Sequence, residues 1–477
     1  MNNGPMSKVA LLLACAAAAG ISPAWAVPSF ARQTGMTCAA CHTVIPELTP
    51  FGREFKLNAY VIDNLRQIKG ETMERRETLA LNPIPALSMM VQVSYTHTGA
   101  AVPDSQAGAT PGVPASALAK DGEVLLPQQA SFFYAGKIAN NLGAFMQLTY
   151  DGAADAFSID NTDIRYARYI GTAEPVDGSG KPRGFLQSHD VLIGFTLNNN
   201  PTVQDPWNST PAWGFPYAGS SVAPGPNAGP QVSGALAASV AGLGAYLWLD
   251  HAFYAELSAY TAAKVGGNHP LDSTQAAVPN GILPYWRVGY EWRSGRNSWF
   301  IGTYGMQSRL YPGNGAPLSG PVDRYTDVAA DTQYQFISDD HLFTLLASYI
   351  HEDQKLNASA TVLGLAQNVN NDLHSLQVTA EYSFRRLIGG SVGLFSTSGS
   401  TDPLLYANDG SVGGSLTGSP DSRGYILEVN YLPFLNTKLT LQYVGYTRFN
   451  GGGTDYNGAG RSASDNNTLY ALVWVNF

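Results

Sequence analysis

The sequence predicts a mainly β protein: an antiparallel outer-membrane β-barrel of about sixteen strands behind a small α-helical N-terminal domain. Three observations carry the prediction. From about Leu81 onward, apolar and polar residues alternate with period two in segments of roughly ten residues. Tight turns and long polar loops alternate between those segments, as short periplasmic turns and long outer loops do in such barrels. Residues 27–80 break the pattern, with helical spacing and dense, nearly balanced charge.

The first 26 residues read as a signal peptide. Lys8 precedes the apolar stretch "VALLLACAAAAG", and Ala24-Trp25-Ala26 is a small-x-small cleavage site. The stretch is too short to span a membrane, and no apolar run elsewhere approaches about 20 residues. A lipoprotein reading at Cys15 ranks second, because the apolar run continues past it. Cleavage removes Lys8 and no acid, so the net charge falls from −9 to −10. That balance excludes nucleic acid as a partner and suits cationic ones. With 50 Gly, 25 Tyr and only 13% charged residues, the composition fits a large secreted β-protein better than a soluble α/β enzyme.

Residues 27–80 form the first domain. The mature chain keeps only two cysteines, in Cys38-Ala-Ala-Cys41-His42. This C-x-x-C-H pattern is an attachment site for one covalent haem c. Two thiols at this spacing reach both vinyl groups of a porphyrin, and the adjacent imidazole of His42 becomes the proximal iron ligand. A redox disulfide would need a thioredoxin-like context that is not visible, and half a zinc site would need a second cysteine pair. The sixth ligand stays open among Met73, Met90 and none. Met36 is too near the attachment site, Met90 falls on the polar phase of the first strand, and His97 falls on the apolar phase as a rim residue. Downstream, Phe51, Phe55, Leu57, Tyr60, Ile62 and Leu65 form a helical apolar face, followed by a charged helix or linker over about 65–86.

Residues 81–477 form the barrel. The expected strands are 86–97, 128–138, 142–151, 157–169, 189–198, 235–249, 252–262, 284–293, 298–308, 325–337, 341–352, 372–384, 388–397, 423–433, 437–448 and 466–477. In "YILEVNYL", Tyr425, Leu427, Val429 and Tyr431 share one face and Glu428 and Asn430 the other. Connections near 152–156 and 170–188 break the short–long rule. A soluble β-sandwich is the competing fold, but sixteen strands with so aromatic an apolar face are hard to bury in one. The chain also ends on Phe477 within a strand. Asp151, Glu256, Glu291, Asp327, Asp331, Glu381 and Glu428 fall on the inward phase, as a solvated lumen or as a field that draws cations such as Fe²⁺ inward. The segment "TVQDPWNSTPAWGFPYAG" is either a rigid lid over the lumen or a plain outer loop. The remaining histidines are scattered, with no H-x-x-x-H or triad spacing, and no phosphate loop, nucleophile elbow or carboxylate pair stands out.

The stretch "PSFARQTGMTCAACHTVIPELTPFGREFKLNAY" resembles the N-terminus of the fused monohaem cytochrome c–porins of iron-oxidising bacteria, specifically over about residues 28–60. Over the rest of the chain the likeness is one of layout. The resemblance implies that Cys38 and Cys41 hold the haem and His42 ligates iron. It implies electrons taken from extracellular Fe(II) and passed to a periplasmic electron carrier, with outer-membrane lipid around the barrel. A hydrocarbon layer of about 25 Å exceeds one porphyrin, so a single haem serves both sides only from in or at the lumen. Two alternatives stay open: a solute porin with a haem-bearing plug or sensor, and a haem enzyme with an open sixth site. An iron-oxidising oxidoreductase activity is one form of the first reading.

Overall fold

The computed structural model describes residues 28–62, 68–69, 80–102, 120–170, 190–263, 278–313 and 317–477. Sixteen antiparallel strands close on themselves. They are β1 (Leu87–Thr98), β2 (Val124–Ala139), β3 (Leu142–Asp151), β4 (Ala156–Tyr169), β5 (Val191–Asn198), β6 (Val240–Leu249), β7 (Phe253–Ala262) and β8 (Leu283–Ser294). The second half comprises β9 (Asn297–Tyr311), β10 (Asp323–Ile337), β11 (His341–Lys355), β12 (Asn370–Phe384), β13 (Ile388–Gly399), β14 (Ser422–Phe434), β15 (Thr437–Arg448) and β16 (Thr468–Asn476). Neighbours in sequence are neighbours in the wall, and β16 pairs with β1, Thr468 opposite Thr98 and Asn476 opposite Met90. Closure leaves no sheet edge, which is what lets strands cross a bilayer.

Every expected strand is present, most with ends shifted by a few residues. The clearest shift is β6, which starts at Val240 because the segment before it forms turns. The exposed face is apolar: Leu257, Leu243, Val429, Leu394 and Val392 are each at least half exposed. Trp292 and Trp299, cross-strand partners beside the tight turn between β8 and β9, sit at the end of this band as an aromatic girdle. No described helix is long and apolar enough to cross a membrane; the strands do so. The molecule is a bacterial outer-membrane β-barrel.

The irregular connection 152–155 is a genuine short turn. Asp151 caps it, accepting bonds from the backbone N–H groups of Ala153 and Ala154 at 2.8 and 3.1 Å. Asp151 is therefore a turn residue rather than a lumen charge. Most of the other irregular connection, near 170–188, lies outside the described residues, as do Met73 and most of the 65–86 linker.

Among the described residues three short helices precede the wall: α1 (Pro28–Thr34), α2 (Cys38–Cys41) and α3 (Pro50–Leu57). Thr49 starts α3 by accepting a bond from the Gly52 amide at 3.1 Å, with Pro50 at the first helical position. The helix ends sooner than the apolar spacing suggests. Ala59 and Tyr60 take left-handed backbone angles, with φ of 57° and 58°. The chain turns there, and the Tyr60 hydroxyl donates to Asp163 on β4 at 2.8 Å.

Candidate cofactor site in the barrel lumen

The helical segment is seated inside the barrel, toward the end of the short turns. Its first helix lies at the rim: Arg32 donates to the Leu87 carbonyl at the start of β1 at 2.5 Å, and Gln33 donates to the Ala135 carbonyl of β2 at 2.9 Å. The third helix is anchored by Arg53, which is fully buried. Its guanidinium donates to Glu291 on β8 (2.5 Å), Ser298 on β9 (3.1 Å), Gln333 and Gln335 on β10 (3.0 and 2.7 Å) and its own Leu48 carbonyl (3.0 Å). Five planar donors make arginine the residue for such a socket. The Tyr246 hydroxyl of β6 donates to the Leu57 carbonyl at 2.5 Å.

The segment rich in Trp and Pro folds into the lumen on the other side of these helices. Trp207 is fully buried and stacks on Phe300 of β9 at 3.9 Å between ring centroids. Its indole N–H donates to Glu291 at 3.0 Å, so one carboxylate holds both the helical segment and the inward loop. Asp205 lies 3.2 Å from Arg287 of β8, which also pairs with Asp331 at 2.7 Å. Lys56 donates to the Val203 and Asp205 carbonyls, both at 2.8 Å, and stands over the Trp213 ring. Sequence alternation gives the parity of a strand residue but not the direction in which a loop folds. That is why this loop was ambiguous; its density of Trp, Pro, Asp and Asn was the available signal.

Between helices, loop and wall lies a cavity of about 420 Å³, within the range of roughly 300–1,000 Å³ usual for cofactor sites. Cys38, Cys41 and His42 line it, together with Met90 of β1, Trp474 of β16 and Phe30 of α1. One turn of α2 sets the two thiols side by side. Gly52 of α3 is packed so closely on the Cys41 carbonyl that a Cβ there would collide with it. The His42 ring Nδ1 lies 3.2 Å from the Pro46 carbonyl. Donation to that carbonyl fixes the tautomer and leaves Nε2 with its lone pair free. Burial lowers the imidazole's proton affinity, against weaker opposing bonds to the Pro46 and Glu47 backbone, which favours the neutral form that binds metal. Burial, then the neighbouring Cys38, pushes the Cys41 thiol up to about 11. A redox-active thiol needs the opposite shift. These donors fit a covalently held haem. Met36 also lines the cavity, whereas His97 is a half-exposed rim residue near Asp121 at 3.7 Å.

The inward acids are less free than their phase suggests. Glu256 accepts from Gln204, Tyr254 and Ser258, Glu381 accepts from Tyr217, and Glu428 accepts from Asn430 and Gln442 beside Lys438 at 3.5 Å. Asp327 differs: it faces Glu352 across β10 and β11.

No family model and no curated protein matches the sequence. Solved outer-membrane barrels are similar in fold. OmpF of Salmonella typhi, in complex with daunomycin, is 13% identical over 82% of this chain and 97% of its own, with a TM-score of 0.46. OmpT of Vibrio cholerae is 10% identical over 82% and 96%, with a TM-score of 0.41. The outer-membrane channel DcaP of Acinetobacter baumannii is 10% identical over 82% and 96%, with a TM-score of 0.40.

Proposed function

We propose that this barrel carries out electron transfer at the outer membrane through one covalent haem c, taking electrons from extracellular Fe(II) and delivering them to a periplasmic carrier. The observation that supports it is the convergence of Cys38, Cys41 and His42 on one cavity inside the lumen. A haem held there by two thioethers would supply a one-electron centre. Cys38 and Cys41 would hold it covalently, and His42 would ligate its iron through Nε2. Met90, which lines the cavity from the barrel wall, would be a candidate further donor to the iron. Trp474 and Phe30 add apolar surface to the cavity lining. The residues from Pro211 to Pro216 stand between this cavity and a second one of about 390 Å³, which faces β11 and β12 through Ser348, Ser375 and Gln377. A donor entering from the outside would meet this neutral, hydroxyl- and amide-lined vestibule, while a carrier would approach α1 at the other rim.

The test is a stopped-flow record of oxidised, purified protein mixed with Fe(II). Reduction of the haem bands supports the reading. If dithionite reduces the protein and Fe(II) does not, the Fe(II) part fails. The second reading, a solute porin whose lumen is closed by a haem-bearing plug, is favoured by the porin-like barrel itself. It requires conductance that rises when residues 28–62 are removed.

A further inference from the structure

We propose a divalent transition-metal site on the outer surface of the barrel, formed by His351 of β11 and His374 of β12. It stands whether or not the chain carries a haem. The two residues are direct cross-strand partners on the outward phase. Along β11 that phase runs Tyr349, His351, Asp353, Lys355; along β12 it runs back from Leu376 through His374 to Asp372. Both strands therefore pass from apolar to charged at the histidines, on the side of the long loops, where the wall leaves the lipid and meets water.

The nitrogen arrangement points to a cation. His374 Nε2 lies 3.0 Å from Asp372 Oδ2, so it carries the proton and donates. His374 Nδ1 then bears a lone pair, and the Tyr349 hydroxyl donates to it at 2.8 Å. His351 Nε2 faces Asp353 Oδ1 at 3.4 Å. The two Nδ1 atoms stand 3.2 Å apart, close enough for a single proton or a single cation to lie between them. A divalent ion there would take the place of the proton between the rings and of the Tyr349 hydroxyl hydrogen on His374 Nδ1. Metal–nitrogen bonds of about 2.0–2.1 Å to two atoms 3.2 Å apart subtend about 100°, between the square-planar and tetrahedral angles. Each imidazole also has the carboxylate on its far nitrogen that orients metal-binding histidines. Asp372 is itself fixed: its amide donates to the Ser400 hydroxyl at 3.0 Å, and that hydroxyl donates back to Oδ1.

Imidazole donors select Zn²⁺, Cu²⁺, Ni²⁺ or Fe²⁺ over Mg²⁺ and Ca²⁺, which demand oxygen ligands. Two protein nitrogens leave the remaining positions to water, with the Tyr349 hydroxyl alongside. Occupancy would clip β11 to β12 at the outer rim.

The test uses untagged holoprotein in detergent, titrated with ZnCl₂ by calorimetry and with Cu²⁺ by electron paramagnetic resonance. One ion per chain is expected, with imidazole nitrogen splitting on the Cu²⁺ signal and no competition from Mg²⁺. His351→Gln and His374→Gln should each weaken binding at least about tenfold, and Asp372→Asn by on the order of tenfold, in line with losses of outer-shell partners. All variants should keep the heat-modifiable gel migration of a folded barrel. Unchanged affinity in the double His351→Gln/His374→Gln variant overturns the site. Absence of any binding by the parent protein also overturns it and leaves a pair of histidines sharing a proton.

Discussion

Glu291 is the residue on which the interior turns. It receives Arg53 from the helical segment, the Trp207 indole from the inward loop and Arg293 from its own strand. Removing Arg53 leaves that carboxylate buried with Arg293 as its remaining cation and strips donors from Gln333, Gln335 and Ser298. Arg53→Ala should loosen the segment by about 3 kcal/mol, seen as faster proteolysis within 28–62 while the barrel stays folded. Arg53→Lys should recover only part, because one ammonium cannot reproduce the planar fork. Cys38→Ala with Cys41→Ala should abolish haem peroxidase staining of denatured protein on a gel; surviving stain would refute covalent attachment. Met90→Leu should keep that stain but let carbon monoxide bind the reduced protein, an outcome that Met36 as sixth ligand would not give. Cys38, Cys41 and His42 line one cavity, and their grouping was legible in the sequence from the C-x-x-C-H spacing. The role of Arg53 was not, because nothing in "FGREFKL" says that its arginine would point at a strand more than 230 residues away.

Among elements, the strands were readable and the inward loop was not. In β14, Leu427, Val429 and Tyr431 are exposed to lipid while Glu428 and Asn430 are buried, as their alternation requires. Period two encodes this directly, because each strand sees one apolar and one polar medium. A loop sees no such division, and its direction is set by long-range partners such as Arg287, Asp331 and Glu381. Trp207 is the wedge of that loop, packed with Leu57, Tyr246, Tyr254 and Phe300 in one cluster. Trp207→Ala should cost the packed interior about 3–5 kcal/mol and free the loop from Phe300. Planar-bilayer recordings should then show larger and noisier conductance than the parent, whose lumen is filled from both sides. An unchanged, quiet baseline would mean that the loop is held without its aromatic anchor.

At the scale of the whole molecule, the question is how a chain of net charge −9 presents itself to a divalent donor. Inward acids alone suggest a field that draws Fe²⁺ to the lumen, with rates that fall steeply as salt screens it. The folded arrangement argues otherwise. Glu291 is paired with Arg53 and Arg293, Asp331 and Asp205 with Arg287, and Asp163 with Arg165 at 2.7 Å. Glu256, Glu381 and Glu428 spend their oxygens on Gln204, Tyr217, Gln442 and nearby hydroxyls and amides. Charges paired with arginine project little field toward the mouth, and Glu256, Glu381 and the facing pair Asp327–Glu352, held by neutral groups or by each other, do not line the vestibule. The vestibule above the candidate haem cavity is lined by neutral groups such as Asn208, Ser348 and Gln377. Raising ionic strength from about 0.01 to 0.15 M shortens the screening length from roughly 30 to 8 Å, yet reduction by Fe(II) should slow less than about threefold. Glu381→Gln should act through the Tyr217 contact, altering the amplitude or spectrum of the bound centre and leaving the salt slope unchanged. A drop of tenfold or more over that salt range, abolished by Glu381→Gln and Glu428→Gln, would restore long-range attraction by the lumen acids as the way the donor is gathered.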